Sequence, residues 1–378
     1  MTTIDRPIRQ TKKPAHRDHP PVVPGTHRAA IWFAVLVIFA TLSPIILGLK
    51  IGKIVPRLPA LDWTLAIDSR SAAVAAAIHQ PKIVFIGGSN VRFGVDAAAL
   101  SRDLGMPVVN YGLHASLGLD VITDRALQCV KPGDIVVIAP ELSHFRKNGA
   151  AVFSDDLRID FLADHPSPID PVLQSFPTRE WRRARSRCNR IRATIEKFLS
   201  TRFARIVGAE PTGPGGKPEA TPYTVDAVGP DGSIIFPRPG PKNYDRWGFS
   251  DPPDNVAAMD LVNSRGGVAF ALAKKICAER HCTLCVMPPI RVTVPLFDPV
   301  ELLKMEQAFI DYAVKNGAIA IMQPGQTVLP REDGYDTDYH LNDVGVKAME
   351  PRLAAALRPV VARHGKAADD IGGPGLLH

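Results

Sequence analysis

Between residues 82 and 139, short β-branched runs alternate with helix-compatible segments, and this pattern constrains the fold more than any other feature of the chain. The runs are 82–87, 107–110 and 134–139, and the segments between them are about 95–104 and 118–129. Alternation of this kind predicts a parallel sheet with helices on both faces. After His144 the pattern stops, and residues 150–250 carry no repeated strand-helix unit, so they read as an insertion. It resumes with a helix near 256–279, the strand Thr283–Met287, a helix near 299–315, the strand Ala318–Ile321 and a final helix about 343–358. The expected architecture is α/β, a five-stranded parallel sheet flanked by helices, entered through the alanine-rich, helix-compatible stretch Leu61–His79.

The first unit, Pro81 to Asp96, carries the chemistry of most interest. The apolar run Ile83-Val84-Phe85-Ile86 meets Gly87, Gly88 and Ser89, which reads as a buried strand delivering a serine onto a tight strand-to-helix turn. Glycines allow the sharp turn and leave the hydroxyl uncovered, as a nucleophile requires. An ordinary βα turn with a solvated serine has the same residues.

Near the other end, Gly334 to Gly345 holds His340, with Asp336 and Asp338 just before it and a helix opening at Asp343. In an open α/β sheet the functional loops gather at the carboxyl ends of the strands, so the first and last of these loops can meet. Ser89 is then the candidate nucleophile, His340 its base, and Asp336 or Asp338 the group that fixes the histidine tautomer. Taken singly, His340 reads as a surface-loop histidine and Asp343 as a helix cap.

Together these stretches resemble the SGNH, or GDSL-like, hydrolase superfamily. Gly87-Gly88-Ser89-Asn90 is similar to its first block, with glycine in place of the aspartate before the serine. Val108-Val109-Asn110-Tyr111-Gly112 is similar to the second, and His340-Leu341-Asn342 with Gly345 to the last. The resemblance implies a flavodoxin-like SGNH fold, a Ser89–His340 catalytic pair, and an oxyanion hole from the backbone N–H groups of Ser89 and Gly112. Two departures stand out. The position three before His340 is Thr337, so the orienting acid moves to Asp336 or Asp338; the Asp-Thr-x-Tyr-His-Leu pattern of the membrane-anchored branch favours Asp336. After the third strand, where the family has an oxyanion asparagine, the chain reads Pro140-Glu141-Leu142. A carboxylate there opposes an oxyanion unless it is neutral or turned away. Asn90, Glu141 and Arg291, on the loops beyond the strands, are the substrate-binding candidates.

The net charge of +7 and pI near 9.2 invite a nucleic-acid reading until the charge is located. Residues 1–27 hold Arg6, Arg9, Lys12, Lys13 and Arg17 with little apolar material, which predicts a disordered basic tail. Ala29 to Leu49 then carries no formal charge and is long enough to cross a bilayer as a helix. Basic residues are denser before it than after it, so the tail is expected in the cytoplasm and everything after Lys50 outside. A cleaved signal peptide fits less well, because the run is long and no small-x-small site follows it closely. The expected organisation is a tail (1–27), a signal anchor (28–50), a periplasmic or extracellular domain (51–363) and a disordered end (364–378), on a single-pass plasma-membrane protein. That placement excludes nucleic acid as the partner.

Inside the insertion, Arg179–Arg205 reads as an arginine-dense helix, either a solvated face or a surface for anionic lipid or acidic glycan. Ala209–Gly216 reads as a loop, Tyr223–Val225 and Ser233–Phe236 as a β-hairpin, and Tyr244, Trp247 and Phe249 as loop aromatics that pack on the core or stack on sugar rings. The chain's 5 cysteines make no disulfide framework. Cys277, Cys282 and Cys285 fall on a helix, a turn and a buried strand without a fourth converging ligand, so no metal or cofactor is expected. The sequence therefore predicts a serine esterase or O-acyltransferase, acetyl by analogy of layout with alginate O-acetyltransferase and D-alanyl transfer proteins. Its substrate is an extracytoplasmic polysaccharide, and its partner a membrane-bound O-acyltransferase or polysaccharide synthase. The competing expectation is a non-catalytic envelope protein that binds a glycan or a synthase.

Overall fold

The computed structural model describes residues 31–39, 59–147, 155–165, 167–169, 221–241 and 252–371 of the 378-residue chain. The basic tail, the arginine-dense stretch, the 209–216 loop and the aromatic residues Tyr244, Trp247 and Phe249 lie outside the described residues.

Helix α1 (Pro59–Ala77) leads to strand β1 (Ile83–Gly87), short helix α2 (Ser89–Gly94), α3 (Ala97–Leu104) and β2 (Val108–Gly112). Then come α4 (Leu119–Leu127), β3 (Ile135–Ala139), α5 (Asp155–Asp164), α6 (Arg265–Glu279) and β4 (Thr283–Val286). The chain continues through β5 (Arg291–Val292), α7 (Pro299–Lys315), β6 (Ile319–Ala320), β7 (Val328–Leu329) and α8 (Asp343–Ile371). Five strands form one parallel sheet in the order β2-β1-β3-β4-β6. Sequence patterning placed all of them within two residues of their ends. It missed the small parallel pair β5–β7, whose strands are too short to leave a periodic signature.

Alternate residues of the central strands enter two separate cores. Val84, Ile86, Val109, Tyr111, Val136 and Ile138 pack with Trp63, Ile67, Ile122 and Phe270 on one face. Ile83, Phe85, Val108, Ile135 and Val137 pack with Leu100, Leu353 and Leu357 on the other. Both faces being covered explains why these strands read as unbroken apolar runs.

The strand order sets the position of any site. β1 is followed in the sheet by β2 on one side and β3 on the other, so the chain reverses its winding between β1 and β3 and leaves a crevice at their carboxyl ends. Ser89 follows β1 and Glu141 follows β3, one on each side of that crevice. At the opposite ends of the same strands, Lys82 Nζ pairs with Asp134 Oδ2 at 2.6 Å in full burial. Asp134 also accepts the Lys82 and Lys131 backbone N–H groups.

Three sequence expectations change. Helix α8 runs to Ile371 through Pro359, past the expected end near 358, because the alanine-rich 353–356 segment and its flanks keep helix propensity high. The expected hairpin reduces to one antiparallel bridge, Val228 with Ile234, closed by the Gly229–Gly232 turn. Residues preceding Arg265 form turns and a 3-10 segment (Val256–Ala258), not the first turns of the α6 helix, which Ser264 caps through the Gly267 N–H.

Residues 31–39 are helical and turn apolar side chains outward; Trp32, Phe33, Leu36 and Phe39 are all highly exposed. The rest of the 29–49 span lies outside the described residues. Among the described residues no helix is long and apolar enough to cross a membrane.

Candidate active site

β1 ends at Gly87, and the short helix α2 starts at Ser89 itself, ahead of the helix expected from about residue 95, which is α3. Backbone carbonyls tie the turn down: Val91 N and Arg92 N donate to Gly88 O, and Leu113 N donates to Gly87 O. Behind it sits Arg92, buried, and no carboxylate of a described residue is hydrogen-bonded to it. Its guanidinium donates to Gly112 O at 2.8 Å, Gly232 O at 2.6 Å, Asn110 O at 2.8 Å and Ser71 Oγ at 3.0 Å. Burial lowers its pKa to about 9. The guanidinium thus fastens α2 to β2 and to the turn of the insertion.

Across the crevice, Glu141 is buried, and its Oε1 accepts the Ser89 Oγ–H at 3.1 Å and the Asn90 N–H at 3.4 Å. A Cβ at Gly88 would stand 2.3 Å from that oxygen, so any side chain there would displace the carboxyl. No lysine or arginine pairs with Glu141 among the described residues, and burial raises its pKa to about 7. Nearby charges modulate this: His340 pulls it down, Asp338 pushes it up, and the hydrogen bonds from Asn90 and Ser89 lower it.

His340 comes from a loop held on itself by the Tyr335 N–H to His340 O bond at 2.7 Å and the Gly334–Leu341 bridge. Asn342 caps α8, its Oδ1 accepting from Val344 N and Gly345 N at 2.9 Å each. Asp343, expected as the cap, instead accepts the Arg238 N–H at 2.8 Å and docks the insertion. Within the loop, His340 Nδ1 lies 2.7 Å from Asp336 Oδ1. The imidazole stacks on Phe93 at 4.2 Å between centroids. Phe93 is one helical turn after Ser89, so the stack sets the histidine beside the serine's own helix.

The insertion completes this arrangement. Tyr223 OH donates to Asp336 Oδ2 at 2.5 Å and lies 2.9 Å from His340 Nδ1, while the Arg238 guanidinium covers Phe93 at 5.2 Å. Burial, then the Asp336 charge, pushes the Tyr223 phenol far above its usual pKa. His114, across from His340, is depressed to about 4, first by burial and then by His340. It is a neutral imidazole whose Nδ1 accepts the Ser116 N–H at 3.2 Å.

The geometry thus brings Ser89, Glu141, His340 and Asp336 into one crevice, and it assigns the other sequence candidates differently. Asp338 is buried, and its carbonyl accepts the Val292 N–H at 2.8 Å. Gly112, expected as an oxyanion donor, has its N–H taken by Asn110 Oδ1 at 2.9 Å. Asn90 is fully buried, its amide donating to Ala139 O at 3.0 Å, so it fastens α2 to β3. Arg291 is buried against Glu306, with Nε 2.9 Å from Oε1, because β5 carries it inward towards α7. Ser89 Oγ hydrogen-bonds Glu141 and not His340, whose Nε2 makes no hydrogen bond to a described residue. Sequence reasoning placed Tyr223 in a β-hairpin and missed its part in the site, because a single tyrosine carries no functional signal of its own.

Comparison with known proteins returns no match to a family model, a curated protein or a solved structure.

Proposed function

We propose that this protein is a serine-dependent acyl esterase or O-acyltransferase acting on an extracytoplasmic polysaccharide, with acetate as the acyl group. The observation that carries the reading is the Asp336–His340 pair, stacked on Phe93 one helical turn from Ser89 at the switch point of the sheet. The resemblance to SGNH hydrolases rests on the same residues. Ser89 Oγ attacks the ester carbonyl carbon; the carbonyl electron pair moves onto its oxygen, and the serine proton passes to His340 Nε2. Collapse re-forms the carbonyl and breaks the bond to the leaving alcohol, which takes the proton back from His340. The acyl group then goes to water or to a sugar hydroxyl. Asp336 holds the imidazole through Nδ1 and stabilises the imidazolium.

The layout adds the location. The uncharged 29–49 span, with its outward apolar side chains at 31–39, supports a plasma-membrane anchor with the catalytic domain in the periplasm or outside the cell. A membrane-bound O-acyltransferase or polysaccharide synthase is the proposed partner.

One observation favours a second reading, a non-catalytic glycan- or synthase-binding protein: the Ser89 hydroxyl hydrogen-bonds Glu141 in place of His340. Fluorophosphonate labelling, read by intact mass, separates the two. The nucleophile reading expects one adduct on the full chain in detergent, lost in Ser89→Ala and reduced at least about 100-fold in His340→Ala. Absence of an adduct on a folded protein, under conditions that label a control serine esterase, favours the binding reading.

A further inference from the structure

Glu141 lies beside the Ser89 hydroxyl, and its surroundings suit the acid better than the carboxylate. Its Oε1 already accepts two hydrogen bonds, from Ser89 Oγ and Asn90 N, while Oε2 makes none to a described residue. The side chain is buried, no cation pairs with it among the described residues, and Asp338 adds a second negative charge nearby. An ionised carboxylate in such a site is an unpaired buried charge. A proton on Oε2 removes that charge and turns the group into a donor. The need for one is concrete, because the Gly112 N–H is engaged by Asn110 Oδ1. Of the expected oxyanion donors only the Ser89 N–H is without a described partner.

The geometry points to Glu141 as a catalytic residue that works in its neutral form, donating Oε2–H to the oxyanion formed when Ser89 attacks the acyl carbonyl. This rests on Ser89 being the nucleophile. No proton leaves Glu141 in the step: the serine proton goes to His340, the new bond is Oγ–C, and the carboxyl O–H only hydrogen-bonds the carbonyl oxygen as it takes on charge. Ionisation of Glu141 therefore switches the site off. The groups facing the carboxyl are Ser89 and Asn90 from α2, and Asp338, Tyr339 and His340 from the loop before α8. Wild type and each variant are compared at the same pH, so the ratio of their rates reads what residue 141 contributes at that pH.

The test is the rate of fluorophosphonate labelling of the full chain from pH 5.5 to 9, for wild type, Glu141→Gln, Glu141→Ala and Ser89→Ala, with each variant's fold checked by circular dichroism. A glutamine keeps an N–H donor but does not ionise. At pH 6, Glu141→Gln is expected to label about three- to tenfold more slowly than wild type, and Glu141→Ala about 100-fold or more. Above about pH 7 the wild-type to Glu141→Gln ratio should fall about tenfold per pH unit. A folded Glu141→Gln that does not label while wild type does would make Glu141 the base and overturn the donor role alone. A ratio flat through pH 7 would overturn it too. Wild type unlabelled at every pH would sink the nucleophile reading and the donor role with it.

Discussion

The carboxyl of Glu141 fills the space that any side chain at residue 88 would need: a Cβ on Gly88 would lie 2.3 Å from Oε1 and 2.9 Å from Cδ. Gly88, just before the serine, and Glu141, after the third strand, are thus the two sides of one contact. The glutamate after β3 reaches across the crevice into the space that Gly88 leaves open at the end of β1. Its oxygen then takes the hydrogen bond of the serine.

This reciprocity is measurable in a double-mutant cycle. Gly88→Asp alone forces a carboxylate against the buried Glu141 carboxyl and is expected to destabilise the fold by about 1–3 kcal/mol, as overpacking does. Glu141→Asn shortens the opposing side chain and makes room. The double variant should recover stability relative to the sum of the singles, with a coupling of about 1–3 kcal/mol in urea melts. Additive single effects would mean that the contact does not link the two positions.

The protonation of Glu141 has a thermodynamic signature independent of any catalysis. Its folded pKa, raised to about 7 from 4.5 by burial, means that the folded chain keeps a proton that the unfolded chain has released across that interval. The stability contributed by that proton is fully present below pH 4.5 and is lost as pH rises through about 7. Glutamine does not titrate, so the stability of wild type minus that of Glu141→Gln should fall by about 2–3 kcal/mol between pH 4.5 and 8. Urea melts across that range check it; a difference independent of pH would show that the carboxyl is not held neutral.

Much of this could be read from residue pattern, and the remainder has a physical reason. The five strands were legible because burial on both faces turns each into an unbroken apolar run, and Gly87-Gly88-Ser89 marked the turn because only small residues pass there. His340 was legible as half of a charge-imidazole pair, with Asp336 favoured over Asp338 as its partner; the structure sets Asp336 Oδ1 2.7 Å from Nδ1. The fates of Asn90, Asn110 and Arg291 were not, since nothing in composition separates an amide or guanidinium that faces a ligand from one that fastens two backbones together. Gly112 illustrates this: its N–H is committed by a side chain only two residues away. The bond from Tyr223 to Asp336 joins positions 113 residues apart through an insertion that has no period to register it.

That tyrosine yields a graded prediction. Tyr223 OH occupies Asp336 Oδ2 and leaves Oδ1 to His340, so it positions the acid rather than the base. Removing the hydroxyl in Tyr223→Phe leaves the 2.7 Å His340–Asp336 contact in place, with Oδ2 short of one donor. The expected cost is about 1–2 kcal/mol of stability, and a labelling rate lowered less than about tenfold. Asp336→Asn removes the charge that stabilises the imidazolium and lets an amide N–H face Nδ1, which favours the wrong tautomer. Its labelling rate should fall by about 100-fold or more with stability nearly unchanged. Parallel labelling and melting of the two variants separates the roles. Equal rate losses would mean that Tyr223 acts on His340 directly, through its 2.9 Å approach to Nδ1, and not through the aspartate.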